Sequence, residues 1–182
     1  MQLTDNISMR EPIIQTPSLL LRKFAASDAS KMYLMSQEES MRIWLRNQVY
    51  TDEAHAASAL GFLISKYGPT ADPRNVPFVL GVQLRESGEL IGHVGLSPLF
   101  NSVEVGFAIE QSHQRKGFAS EAVRAMCAQA KAAFLLPEII GVTDPKNFAS
   151  QRTLLRAGFI RKREQVMKFQ GEEQAAVIFE FS

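Results

Sequence analysis

A chain of 182 residues, 46% apolar and 21% charged, has the size and balance of one globular domain that can bury a core. Its net charge is +1 and no block of five or more Lys/Arg occurs, which argues against a nucleic-acid partner. A single cysteine, Cys127, excludes an internal disulfide, and His55, His93 and His113 show no metal-ligand spacing, so no metal is expected.

The opening MQLTDNISMREP lacks the apolar core of a signal peptide, and no run approaches a membrane span. A cytoplasmic protein with no membrane partner is the expectation, and the Asn6-Ile7-Ser8 sequon is then a chance match. No repeat or Pro/Gly-rich linker divides the chain, so residues 1–182 read as a single domain.

Leu19, Leu20 and Leu21 predict a first strand over Ser18 to Phe24, after Pro17 has barred an earlier helix. Ser27-Asp28 reads as a cap for a helix with Ala29, Met32, Tyr33 and Ser36 at helical spacing. A second helix is expected from Thr51, its cap, to Tyr67, with Ala56, Leu60, Leu63 and Ile64 inward. Residues 69 to 77, with three prolines, read as a loop.

Three strands follow, Phe78 to Arg85, Leu90 to Pro98 and Val103 to Glu110, joined by turns at Ser87-Gly88 and Asn101-Ser102. Turns this short make antiparallel hairpins. After Gly117 the period becomes helical: Phe118, Ala122, Met126, Ala130 and Phe134 sit four apart, with Val123 and Cys127 beside them, until Pro137. Cys127 on this stripe reads as packed core rather than nucleophile. Ile139 to Thr143 reads as a strand and residues 148 to 157 as a helix. Gly158 stands where a left-handed C-cap residue belongs. Phe159 to Phe169 and Ala175 to Phe181 close the chain around a turn at Gly171. The order β α α β β β α β α β β predicts an α+β fold with a mixed sheet.

Gly117 therefore lies between a strand and a helix start, where amide N–H groups lack partners and the helix dipole is positive. An anion fits there, a glycine lets it approach closely, and Arg115 and Lys116 add charge. Neither a GxxxxGK[ST] loop nor GxGxxG is present. What stands instead is [QR]xxGx[GA], as Gln114-Arg115-Lys116-Gly117-Phe118-Ala119. This resembles the acetyl-coenzyme A (acetyl-CoA) pyrophosphate loop of the GNAT acyltransferase superfamily. Asn147-Phe148-Ala149-Ser150 with the Gly158-Phe159 exit is similar to the family's second signature. Glu104-Val105-Gly106-Phe107 and the run His113 to Ala122 are similar to the RimJ/RimL-like branch, the ribosomal-protein N-terminal acetyltransferases.

The resemblance implies the GNAT acyl-CoA N-acyltransferase fold, a mostly antiparallel mixed sheet of about 6–7 strands flanked by about 4 helices. It implies direct acetyl transfer from acetyl-CoA to an amine, a protein N-terminus or a small molecule, with no acyl-enzyme. Glu104 is the candidate base, acting through water, or else a solvent-facing strand carboxylate. Simple alternation puts it on one face with Gly106, Ala108 and Glu110, unless the bulge that the family carries in this strand intervenes. Backbone N–H groups near Phe107, Ala108 and Ile109 are the implied oxyanion donors. Gln114, Arg115, Lys116, Gly117, Phe118, Ala119 and Ser120 are the implied diphosphate site.

Many members have a tyrosine seven residues after the signature asparagine; Leu154 stands here. Ser150 is the implied substitute on the leaving thiolate, or an ordinary first-turn serine. Asn147 is implied to bond the pantetheine arm, cap its helix, or do both. Trp44 and the hairpin around Gly171 are the candidate acceptor walls, with core packing the other reading of Trp44. Arg42 and Arg46 nearby suit an acidic acceptor or plain solvation. A non-catalytic acyl-CoA-binding module is the competing reading, fed by the missing tyrosine. Monomer and homodimer are both open.

Overall fold

The computed structural model describes residues 14–68, 70–169 and 171–182. The N-terminal stretch with its Asn6-Ile7-Ser8 sequon, and Pro69 of the proline loop, lie outside them. The described strands are β1 (Ile14–Gln15), β2 (Leu19–Arg22), β3 (Phe78–Leu84), β4 (Leu90–Leu99), β5 (Ser102–Ile109), β6 (Ile139–Thr143), β7 (Ile160–Phe169) and β8 (Glu172–Phe181). The helices are α1 (Ala29–Ser36), α2 (Glu39–Trp44), α3 (Glu53–Ser65), α4 (Phe118–Phe134) and α5 (Phe148–Ala157).

The strands form one eight-stranded sheet in the order β1-β2-β3-β4-β5-β6-β8-β7. The α+β class holds, with more strands and helices than expected. The additions are short: β1 has two residues and α2 six, too few for a periodic signal. The expected cap also moves by one residue. Asp52, not Thr51, begins α3, its Oδ1 accepting the His55 N–H at 2.8 Å.

Alternation along β3 sends Leu80 and Val82 to one face and Val79 to the other. On the first face α4 buries Ala122, Val123, Met126, Cys127 and Ala130 against the sheet. Each large apolar side chain buried this way stabilises the fold by roughly 1.5–3 kcal/mol. Cys127 is 0% exposed and burial pushes its thiol up, as a packed core residue requires. On the second face α1 and α3 enclose Phe24, Met32, Met35, Leu60 and Leu90.

The Ser27-Asp28 cap is not formed as expected: Asp28 makes no cap bond to α1. Its carboxylate turns back to the Arg22 guanidinium, at 2.8 and 2.9 Å, and accepts the Ala25 N–H at 2.8 Å. Burial opposes ionisation of Asp28, and these donors outweigh it, so its pKa falls below the usual value. The ion pair therefore stabilises the fold above the unfolded aspartate value, and that contribution is lost as pH falls through the lowered one. Asp28→Ala is expected to cost about 1.5–3 kcal/mol in urea unfolding at pH 7, the range for hydrogen bonds to a charged group in a partly buried pair. The difference from wild type should shrink as the pH falls below 4.

Every neighbouring pair of strands is antiparallel except β5 and β6, which α4 connects. This parallel pair shares one bridge, Glu104 with Ile140, and then separates. The sheet thus opens where β5 ends into the loop before α4 and β6 ends into the loop before α5. Crevices at the carboxyl ends of parallel strands are where such sheets bind ligands. At the far edge β7 carries Arg161, Lys162, Arg163 and Glu164 with a register shift, features that discourage edge pairing.

Candidate active site

Along β5 the pairing with β4 runs one to one from Gly92↔Ile109 to Leu99↔Ser102. No bulge interrupts this stretch, so alternation places Glu104, Gly106 and Ala108 on one face, as the unbroken pattern predicts. The Glu110 N–H donates to the Ile91 carbonyl at 2.8 Å. Antiparallel alternation then turns the amides of Ala108, Gly106 and Glu104 toward β4, and those of Val105, Phe107 and Ile109 toward β6, where the Glu104–Ile140 bridge takes up Val105 and the parting strands leave the other two at the opening. Of the predicted trio, Phe107 and Ile109 therefore present N–H groups to the crevice, while Ala108 spends its own in the ladder.

Glu104 is half-buried, opposite Ser97 and bridged to Ile140. Burial pushes its carboxyl up to about 7, and no cation among the described residues is set against it. Gly106 beside it is exposed, and beyond its chain neighbours no atom of the described residues lies within 4 Å of where a Cβ would stand. A carboxyl of this kind can take up or release a proton near neutral pH, next to space for a ligand.

A 3-10 turn at Gln111–His113 leads into the glycine loop. Arg115 (φ 64°) and Gly117 (φ 88°) both adopt left-handed backbone. Gly117 is thus required by its conformation as well as by close approach. The first bond of α4 joins the Glu121 N–H to the Gly117 carbonyl at 3.1 Å, which leaves the amides of Phe118, Ala119 and Ser120 without helical partners. In α3 and α5 a side chain, Asp52 or Asn147, caps the corresponding amides, whereas α4 starts on a glycine with no side-chain cap. Beyond its chain neighbours, no atom of the described residues lies within 4 Å of a Cβ at Gly117. An uncapped, open helix start with Arg115 and Lys116 exposed beside it fits a diphosphate. Gln114 differs from expectation: its Nε2 donates to the Ile109 carbonyl at 2.8 Å, so its side chain braces the loop.

Across the opening, Asn147 is 8% exposed and its Oδ1 accepts the Ser150 N–H at 3.1 Å. The capping role is present, and the amide NH2 group takes no part in that bond. Ser150 is half-buried, at the first turn of α5. Leu154 is 1% exposed, with its Cδ1 2.7 Å from where a Cβ on Gly141 would stand. That position is packed core and offers no acid. Sequence reading missed Thr143, which ends β6 at the opening. It is 4% exposed, and its Oγ1 has no hydrogen-bond partner among the described residues. A buried hydroxyl in that condition calls for a water or ligand partner.

Trp44 is half-buried at the end of α2. It lines a cleft of about 210 Å³ with Glu39, Ser40, Ile43, Gln111 and Gln114, beside the glycine loop. A second hollow, about 240 Å³, lies between the β4–β5 hairpin and β7, with Ser102, Ile140 and Arg163 in its wall. Gly171 lines neither. Arg42 is exposed and donates to the Gln37 side chain at 3.2 Å; Arg46 is exposed in the next turn.

The model of the acetyltransferase (GNAT) domain matches residues 18–160. The chain belongs to the GNAT acetyltransferase family. Among curated proteins it is similar to the uncharacterized N-acetyltransferase YoaA of Bacillus subtilis, 31% identical over 153 residues, covering 81% of this chain and 82% of that protein. Among solved structures it shares its fold with the ribosomal-protein-S5-alanine acetyltransferase of Vibrio fischeri (TM-score 0.71, 19% identity, 93% of this chain and 95% of that one). It also shares it with the microcin C7 self immunity acetyltransferase MccE, solved with acetyl-CoA and AMP (TM-score 0.73, 14% identity, 91% and 93%). The neighbours thus include the RimJ/RimL-like type of GNAT protein. The chain is a GNAT enzyme that transfers acetyl groups, and its family uses acetyl-CoA. Among the described residues no helix is long and apolar enough to cross a membrane.

Proposed function

We propose that residues 1–182 act as one catalytic domain that transfers the acetyl group of acetyl-CoA directly to an α-amine, with Glu104 as general base through water. The observation that carries this reading is the Glu104 carboxyl, raised to about 7 beside the open position at Gly106. A base of that strength matches an α-ammonium of pKa 7.7–8.0, which costs only about 1–1.4 kcal/mol to deprotonate at pH 7. A lysine side chain near 10.4 costs about 4.6 kcal/mol.

Acetyl-CoA supplies the thioester. The chain's own groups divide the remaining work. The amides of Phe118, Ala119 and Ser120, with Arg115, Lys116 and Gly117, hold the diphosphate. The Asn147 amide and the Thr143 hydroxyl are donors for the pantetheine arm. Phe107 and Ile109 N–H groups stabilise the oxyanion as the C–N bond forms. Glu104 receives the amine proton through water. As the C–S bond breaks, Ser150 donates a hydrogen bond to the thiolate, directly or through water; Leu154 cannot. Trp44 lines the acceptor side.

The acceptor class is tested with purified enzyme and thiol-release detection at pH 7. A peptide with a free N-terminal α-amine is expected to react at least about 100-fold faster than an N-acetylated peptide carrying only a lysine amine. Equal rates, or a faster lysine, would remove the pKa match as the basis of selection. Small α-amines run in parallel distinguish a protein N-terminus from a metabolite.

A further inference from the structure

The glycine loop contains two left-handed residues, Arg115 and Gly117, and such a path persists only where its surroundings over-determine it. Past Gln114, the Arg115 and Lys116 side chains are exposed and supply no anchor in the hydrogen bonds among described residues. The anchors lie upstream, and they come from α1 and the turn into α2. Lys31 Nζ sits 2.8 and 2.9 Å from the two oxygens of Glu110 and 3.2 Å from Glu89. His113 Nδ1 lies 3.2 Å from Glu110. The Glu38 carboxylate accepts the Gln111 backbone N–H with both oxygens, at 3.1 and 3.0 Å. Glu38 is itself fixed, because its carbonyl accepts the Met41 and Arg42 N–H groups that begin α2.

We propose that Glu38 is a positioning residue for the cosubstrate: by holding the Gln111 amide it sets the start of the 111–117 loop, and through it the affinity for the diphosphate. The proposal rests on the reading of the Gly117 loop as the acetyl-CoA site. Among the described residues Glu38 makes no hydrogen bond to the loop's helix amides or to β5, so its effect falls on binding and leaves the chemical step alone. A Gln111 amide with no acceptor would cost the 3-10 turn the one side-chain bond to its backbone among the described residues, and the loop would sample wrong paths before binding.

Acetyl-CoA is titrated by calorimetry into wild type, Glu38→Ala, Glu38→Gln and Gly117→Ala, and KM and kcat are measured alongside. Glu38→Ala is expected to raise Kd and KM for acetyl-CoA about tenfold, the loss of one charge-assisted hydrogen bond. Its kcat at saturation should stay within about twofold. Glu38→Gln keeps a carbonyl acceptor for Gln111 and should recover most of the affinity, which also decides the matter if the alanine variant is unstable. Wild-type affinity in Glu38→Ala, no recovery in Glu38→Gln, or a fall in kcat with KM unchanged overturns the proposal. If only Gly117→Ala weakens binding, the positioning role fails and the site reading stands. If wild type itself does not bind, both fail.

Discussion

Replacing Glu104 with glutamine is expected to lower kcat by about 10²–10⁴-fold, the range for loss of a general base. The wild-type rate should rise with pH through about 7 and level off above it, because the base works ionised and burial has raised it to that value. Glu104→Gln should lose this limb and keep its affinity for acetyl-CoA, since the loop and α4 are untouched. The same group makes a stability prediction of opposite sense. Its proton is held more tightly in the folded state, so its contribution is full below the unfolded value near 4.5 and is lost as pH rises through about 7. Glu104→Gln should therefore be more stable than wild type at pH 8 and indistinguishable from it at pH 4. Retained kcat with an unchanged pH profile would take Glu104 out of the mechanism. Lost activity together with lowered stability at pH 8 would mean that it is a structural carboxylate.

Gly117→Ala is expected to weaken acetyl-CoA binding about 10–100-fold, the loss of one or two charge-assisted hydrogen bonds. The backbone there is left-handed at φ 88°, which costs an alanine about 1–2 kcal/mol, and the added methyl meets no protein atom within 4 Å. The protein itself thus gives no steric reason for a large effect; the ligand does. Gly171→Ala is the matched control, because Gly171 has φ 90° and equally open space in the β7–β8 turn. Both variants should lose similar amounts of thermal stability, and only Gly117→Ala should lose affinity by calorimetry. Equal affinities would return the loop to a plain helix start.

Local chemistry made much of this legible in the sequence. Four-residue spacing from Phe118 to Phe134 foretold the buried face of α4, because a helix repeats every 3.6 residues wherever it packs. Gly158 adopts φ 105° and ends α5 as its position predicted, since few other residues tolerate that geometry. The QRKGFA stretch was legible as an open helix start, because a glycine before a helix leaves its amides uncapped. The alternation of β5 likewise put Glu104 beside Gly106.

What composition and spacing could not supply were the effects that depend on distant chain. Glu104 acquires its raised pKa from burial by neighbouring strands, which no residue next to it in sequence announces. Which of Phe107, Ala108 and Ile109 offers its N–H is decided by the register with β4 and by the parting of β5 from β6 after one bridge. Asp28 left its expected cap because Arg22 and the Ala25 amide offered a stronger partnership in a half-dry site. The hold of Glu38 on Gln111 spans 73 residues, and that of Lys31 on Glu110 spans 79. Sequence by itself determined the local conformations and the kind of chemistry, since propensity, periodicity and capping act within a few residues. Only the tertiary structure decided the protonation state, the direction of the amides and the bracing of the loop, because dielectric, strand register and long-range ion pairs exist only once the chain has closed on itself.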